Sequence, residues 1–208
     1  MSGSRRRLGT ALTGVSVLAV AAALVFGLSE RSSPTVHLPP LTAEAPNGYV
    51  LDPSSTGDLD LGTAAGVTVL PTDVLHRLLA HTGFQAGYIR RWTQGEEYAD
   101  VLVLRARNHE AAQQLVAGAL DYVMGLPGGG VRAGRAALFA VPSVPGAQGF
   151  FANGSSASTG SPLFVQGVWF TRGEDAFLAE TGSPQPGDTG LVVALAEHQD
   201  AKPVSPGQ

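Results

Sequence analysis

The sequence predicts an α+β domain, with two β-hairpin–helix units contributing to one mainly antiparallel sheet whose helices lie largely on one face. Two observations carry this prediction. Trp92-Thr93-Gln94-Gly95-Glu96-Glu97 and Phe170-Thr171-Arg172-Gly173-Glu174-Asp175 share one pattern: aromatic, Thr, polar, Gly, Glu, acid. After each copy comes a run of apolar residues at helical spacing, introduced by Asn108 in the first and by Asp188 in the second.

From the N-terminus, Arg5-Arg6-Arg7 stands before an uncharged, almost wholly apolar run from Leu8 to Leu28. At ~1.5 Å per residue that run spans a hydrocarbon layer of ~30 Å as one helix. Arginines before it and Glu30 after it favour an N-in, C-out orientation. Residues 1–7 are then the cytoplasmic N-terminus and 8–28 a transmembrane signal anchor to the cytoplasmic membrane. A cleaved secretory signal, with Ala21-Ala22-Ala23 near its end, is the alternative, although a signal core is usually ~7–15 residues. Ser4-Arg5-Arg6-Arg7-Leu8 also loosely resembles a twin-arginine export signal. Each reading puts the rest of the chain outside the cytoplasm, tethered or, if the anchor is cut, secreted.

Residues 29–47 include Pro34, Pro39, Pro40 and Pro46 and are expected to form an extended linker. Residues 48–200 are apolar enough for one ordinary domain, and 201–208, with Pro203 and Pro206, read as a disordered tail. A strand is expected near Tyr49–Leu51, and a helix from Pro71-Thr72-Asp73 through Leu75, Leu78 and Leu79 that stops at Gly83. In the first hairpin Gln94-Gly95 serve as the central pair, so that Trp92 faces Glu97 and Arg91 faces Tyr98. The same choice in the second makes Phe170 face Asp175 and Val168 face Phe177. Asn108 caps a helix carrying Ala111, Ala112, Leu115, Val116, Ala119, Leu120 and Val123 on one face. Further strands are placed near Ala137–Val141 and Gln148–Ala152, and Leu191, Val192, Leu195 and Ala196 mark the last helix.

Composition excludes several classes of function. There is no cysteine, hence no disulfide, no thiolate metal site and no lipobox. One lysine accompanies twelve arginines, a coding bias of GC-rich bacterial genomes. From Gly48 onward nine Arg and Lys oppose fifteen Asp and Glu, a net charge of −6 with no basic tract, which argues against nucleic acid as a partner.

No catalytic, cofactor or metal motif is complete. Gly129 to Ala136 has P-loop glycine spacing, but Arg135 and Ala136 replace the Lys and the hydroxyl residue. The overlapping Gly128-Gly129-Gly130-Val131-Arg132-Ala133 lacks the strand that precedes a dinucleotide fingerprint. Asp52 to Asp60 is rich in oxygen donors yet has Pro53 inside and Thr63 where a calcium loop carries its bidentate Glu, so a plain turn is expected. His76 and His81 stand five apart on one helix, a spacing that points them to different faces, and His37, His109 and His198 are dispersed. Ser155, Ser156 and Ser158 lack a nucleophile-elbow context. Glu96, Glu97, Glu174 and Asp175 are expected to be solvated turn acids, because an acid–base pair needs one buried member with a raised pKa. If the two units are related by a pseudo-twofold, Tyr88, Trp92, Trp169 and Phe170 are candidates to line a cleft between them, with core packing the plainer role for those rings. Arg91 and His109 are the first candidates for a polar group there.

Thr82-Gly83-Phe84 with Gly87-Tyr88 and Trp92, then Ala140-Val141-Pro142-Ser143-Val144-Pro145-Gly146-Ala147, then Trp169-Phe170-Thr171-Arg172-Gly173, resemble a group of exported actinobacterial domains, many of them lipoproteins. The resemblance spans most of Gly48–Asp200. It implies an extracytoplasmic domain of the cell envelope and transfers no catalytic residue; here a helix anchor takes the place of the lipobox. The expected function is a membrane-tethered binding or interaction module engaging a small ligand, an envelope lipid or a partner protein. The alternative is a cofactor-independent enzyme on a scaffold similar to dimeric α+β barrels, and a structural envelope protein without a ligand is a third reading.

Overall fold

A computed structural model describes residues 36–125, 136–155 and 161–201. The apolar run Leu8–Leu28, the glycine-rich stretch through Arg135, Ser156, Ser158 and the tail from Lys202 lie outside these residues. Among the described residues no helix is long and apolar enough to cross a membrane.

Among the described residues the fold is α+β, with eight strands, all paired antiparallel, and four α-helices. Strands β1 (Val50–Leu51) and β2 (Gly57–Leu59) pair with different stretches of β3 (Ala86–Gln94), so two short pieces cover its outer edge. Strand β3 pairs with β4 (Glu97–Arg105), and β4 pairs with β8 (Asp175–Ser183). Beyond β8 lie β7 (Pro162–Arg172), β6 (Gln148–Ser155) and β5 (Ala136–Ala140).

Both repeated hexapeptides form hairpin turns, but each turn is centred one residue later than expected, which shifts every cross-strand partner by two residues and keeps each side chain on its face. Gln94 faces Glu97 and Arg172 faces Asp175, leaving Gly95-Glu96 and Gly173-Glu174 as the central pairs. Glycine therefore occupies the first central position, with φ of 62° and 59°, a region that costs other residues strain. The shift moves every partner: Trp92 faces Ala99, Arg91 faces Asp100, Phe170 faces Phe177 and Val168 faces Ala179. Phe170 and Phe177 stack with centroids 5.0 Å apart.

The helices are α1 (Leu61–Ala64), α2 (Thr72–Thr82), α3 (His109–Gly125) and α4 (Gly190–Asp200). Helix α2 ends as expected on Gly83, in the left-handed region at φ 68°. Helix α3 begins with the Asn108 carboxamide accepting from the Ala111 N–H at 2.8 Å. Leu75, Leu79, Leu115 and Ala119 from α2 and α3 are buried against Leu102, Leu104, Phe150, Trp169 and Leu178 of the sheet. Each such leucine contributes roughly 1.5–3 kcal/mol on burial.

Among the described residues three helices, α1, α2 and α3, share one face of the sheet, in line with the expectation, and α4 is the exception. Helix α4 packs on the opposite face, where Val192, Leu195 and Ala196 meet Trp92, Val101, Val103, Val168, Phe170, Phe177 and Ala179. The reason is the apolar run at 101–104 and again at 176–179, which makes both faces of the central strands apolar and requires a cover on each.

That second cover includes a stretch expected to be linker. Leu41 and Ala43 are buried beside α4. Gln199 receives the Thr42 N–H at 2.8 Å and donates to the Pro40 carbonyl at 3.2 Å. Arg105 Nη1 donates to the His37 carbonyl at 2.8 Å, and the compact unit begins at Val36.

The strands obey an internal twofold that the helices break. The separation relating Trp92 to Phe170 also relates Val101 to Ala179, and those two are direct partners across β4 and β8. A pseudo-twofold axis normal to the sheet therefore passes between them. Under it Asp100 corresponds to Leu178, and Glu180 to Leu102.

Candidate functional site

In the central strands, even-numbered side chains of β4 and β8 point towards α2 and α3. On one side of the pseudo-twofold the facing pair is Leu102 and Leu178, and on the other it is Asp100 and Glu180. These two carboxylates are 2% and 1% exposed, far outside the usual range for acids.

Their surroundings explain how the site survives burial. Arg91, opposite Asp100 on β3, grips it with two hydrogen bonds, Nε to Oδ1 at 2.7 Å and Nη2 to Oδ2. Burial pushes the Asp100 pKa up while the two Arg91 bonds pull it back, and the bridge raises that of Arg91; the bidentate geometry holds the two as an ion pair. Tyr98 donates to Glu180 Oε1 at 3.0 Å, and its ring centroid lies 4.9 Å from the Arg91 guanidinium carbon. Burial, and then the Asp100 charge, push the Glu180 carboxyl up to about 8. Burial and the same two carboxylates also raise the Tyr98 hydroxyl well above its ordinary value.

One atom is unsatisfied. Glu180 Oε2 is buried and has no hydrogen-bond partner among the described residues. The Val69 backbone N–H approaches the carboxyl and slightly favours its ionised form. Such an orphan costs about 1–3 kcal/mol, which marks the position as retained for something other than packing.

Above this carboxyl runs the loop 66–72, which leads into α2. An open cleft of about 360 Å³ lies between that loop and Arg91, Tyr98, Leu163 and Glu180. A neighbouring cleft of about 460 Å³, lined by the turn 54–59 with Gly62, Thr63 and Ile89, shares Gly66, Val67 and Arg91 with the first. Arg91 thus stands between the two.

A glycine makes room for the tyrosine. Tyr98 lies over Gly182, its cross-strand partner, and a Cβ there would sit 2.1 Å from Tyr98 Cε1. Phe150 covers Gly167 and Phe139 covers Gly149 in the same way, each ring filling the space above a facing glycine. Gly167 is also the β7 partner of Glu180, so the floor beside the carboxyl is closed by Phe150.

The six residues singled out in the sequence are spread across the sheet. Arg91 lines the cleft holding the buried acids. Trp169 is buried on the same face within the α3 core, while Trp92 and Phe170 are buried on the α4 face. Tyr88 also faces the α4 side, beside a third cleft of about 320 Å³ formed with Leu38, Pro39, Pro40 and Arg90. His109 is exposed at the start of α3, with Nδ1 2.6 Å from the Gly173 carbonyl.

The turn acids divide. Glu96 is exposed and Glu97 accepts from Tyr49 at 2.9 Å, whereas Asp175 is buried and held by Arg105 through two 2.8 Å bonds. Asp175 therefore is not the solvated acid expected. The oxygen-rich stretch 52–60 spends its carboxylates locally: Asp52 accepts from the Ser54 N–H and hydroxyl, and Asp60 forms a capping box with Thr63 at α1. Among the described residues no cluster of three or more His, Asp or Glu is placed to hold a metal.

Asp100 and Glu180 were missed by motif reasoning, although a signal existed. Each is an acid at the end of a four-residue apolar run, 101–104 or 176–179, and at the same parity as Leu102, Leu104 and Leu178.

No family model matches the chain, and no curated protein matches it. Among solved structures, the extracellular domain of PknH from Mycobacterium tuberculosis is similar over 61% of this chain and 70% of that one, at 13% identity and a TM-score of 0.42. Likeness at that level carries no argument about function.

Proposed function

We propose that this chain is a membrane-tethered, extracytoplasmic binding module of the bacterial cell envelope, with its ligand site in the cleft beneath the loop 66–72. The observation that carries the reading is the buried Glu180 carboxyl, whose Oε2 lacks a partner at the floor of that cleft. Concave sites with a few converging polar groups are where small ligands bind, and a group left unsatisfied in the free protein is one that a ligand can satisfy. The tether rests on Arg5-Arg6-Arg7 and the apolar run 8–28.

Native mass spectrometry of the gently purified full-length protein tests it. A retained small molecule that the Glu180→Leu variant loses is the expected result. A molecule retained equally by both proteins would place the ligand elsewhere.

A second reading has one specific observation behind it. Glu180 is a buried acid titrating near neutrality beside a second carboxylate, the arrangement that a cofactor-independent acid–base enzyme needs. Under that reading Glu180 is the proton donor, kept protonated first by its burial and then by the charge of Asp100, which Arg91 fixes in place. Turnover of a retained compound that Glu180→Gln abolishes while preserving its binding would favour the enzyme; release of the compound unchanged would favour the binding module.

A further inference from the structure

Resting on the binding reading above, we infer that the cleft takes a small organic acid, a carboxylate on a compact apolar body, whose oxygen accepts from Glu180 while Arg91 and the start of α2 face its charge.

Three donors converge on the cleft. Glu180 Oε1 already accepts from Tyr98, so a proton on the carboxyl resides on the unpartnered Oε2 and points to a missing acceptor. Arg91 spends Nε and Nη2 on Asp100, and its Nη1 makes no hydrogen bond among the described residues. Helix α2, eleven residues long, presents its N-terminus through Leu70, Pro71 and Thr72 and has no side-chain cap; Val74 and Leu75 donate to the Pro71 carbonyl, which leaves the Thr72 and Asp73 N–H groups open, while the Asp73 carboxylate of the same turn is paired with Arg77. An O–H donated to a carboxylate is among the stronger hydrogen bonds available.

Charge balance selects the sign of the ligand. The Arg91–Asp100 bridge is neutral as a unit, and a protonated Glu180 adds nothing to it. The ionisable groups facing Glu180 are Arg91 from β3 and Tyr98 and Asp100 from β4; the loop 66–72 and the β7 partner Gly167 supply none, and Asp52 acts on Asp100 from farther away. An amine would have to ionise Glu180 next to Asp100, whereas a carboxylate leaves the proton in place. Val67, Val69 and Leu163 supply the apolar wall.

The test is isothermal titration of purified full-length protein with benzoate, inorganic phosphate and benzylamine, in two buffers of different ionisation enthalpy. Benzoate is expected to bind, with net proton uptake at pH 8 and about tenfold weaker affinity at pH 9 than at pH 7, as the protonated fraction of Glu180 falls. Glu180→Gln, which keeps a donor, should bind benzoate with that pH dependence abolished. Glu180→Leu, which copies the symmetry-related Leu102, should weaken binding at least tenfold. Benzylamine binding with proton release, phosphate binding in preference to benzoate, or a Glu180→Leu variant that binds benzoate like the parent would each overturn the assignment. Binding of none of the three probes would also overturn it, and a different compound retained in native mass spectra would then leave the binding module standing.

Discussion

Asp100 and Glu180 sit directly opposite each other on adjacent strands, both buried, with Arg91 bridged to the first and Tyr98 bonded to the second. Two facing carboxylates cannot both be charged at small cost in such a place, so the site stores a proton through most of the neutral range.

Folding stability should therefore depend on pH in an unusual direction. With the Glu180 pKa raised to about 8 in the folded protein, the folded state binds more protons than the unfolded state from about pH 5 to pH 8. Stability then falls as pH rises through that window and levels off above it. Urea unfolding of the parent and of Glu180→Gln at pH 5 and pH 8 checks this: the parent should lose on the order of a few kcal/mol between them, and the variant should lose much less.

Replacing Glu180 by leucine should stabilise the fold at pH 8, because the symmetry-related position holds Leu102 and the orphaned Oε2 disappears. A gain of about 1–3 kcal/mol is expected, read as a higher midpoint in denaturant with an unchanged slope.

Gly182→Ala should be costly despite adding one methyl group, because it drives Tyr98 off the strand and away from Glu180. Overpacking of this kind costs about 1–3 kcal/mol. In the Tyr98→Ala background the same change should cost far less, and a double-mutant cycle that came out additive would refute the contact.

Gln199→Ala should loosen the segment 38–43, since one side chain supplies both the acceptor for Thr42 and the donor for Pro40. Hydrogen exchange is expected to quicken at Thr42 while the β4 and β8 amides stay protected, with a global loss of about 1–2 kcal/mol.

Much of the architecture was visible in the sequence. The repeated hexapeptides located both hairpins, Asn108 and Gly83 marked real helix ends, and strands appear near Leu51, Ala137 and Gln148 as expected, whereas β2 (Gly57–Leu59) falls in a stretch read as a turn. The turn centres moved by one residue, and the cross-strand partners by two, because a central pair was assigned by placing glycine second, and a turn with glycine first reads almost identically in one dimension. The position of α4 was missed although Val101-Leu102-Val103-Leu104 already demanded two covered faces. Leu41 and Ala43 escaped because prolines around them mimic a linker, while the glutamine that fixes them lies at the far end of the chain. The candidate site was half seen: Arg91 was picked out, but its partner Asp100 emerges only from the corrected register, and Glu180 only from the pairing of β4 with β8.

The near-duplication of the two hairpins gives the protein an internal control. At equivalent places around one axis, the same backbone holds a leucine pair on one side and a carboxyl pair on the other. The leucine pair shows what those positions are worth as plain filling, so the difference between the two halves measures how much cohesion the molecule forgoes to keep one exchangeable proton under a roof.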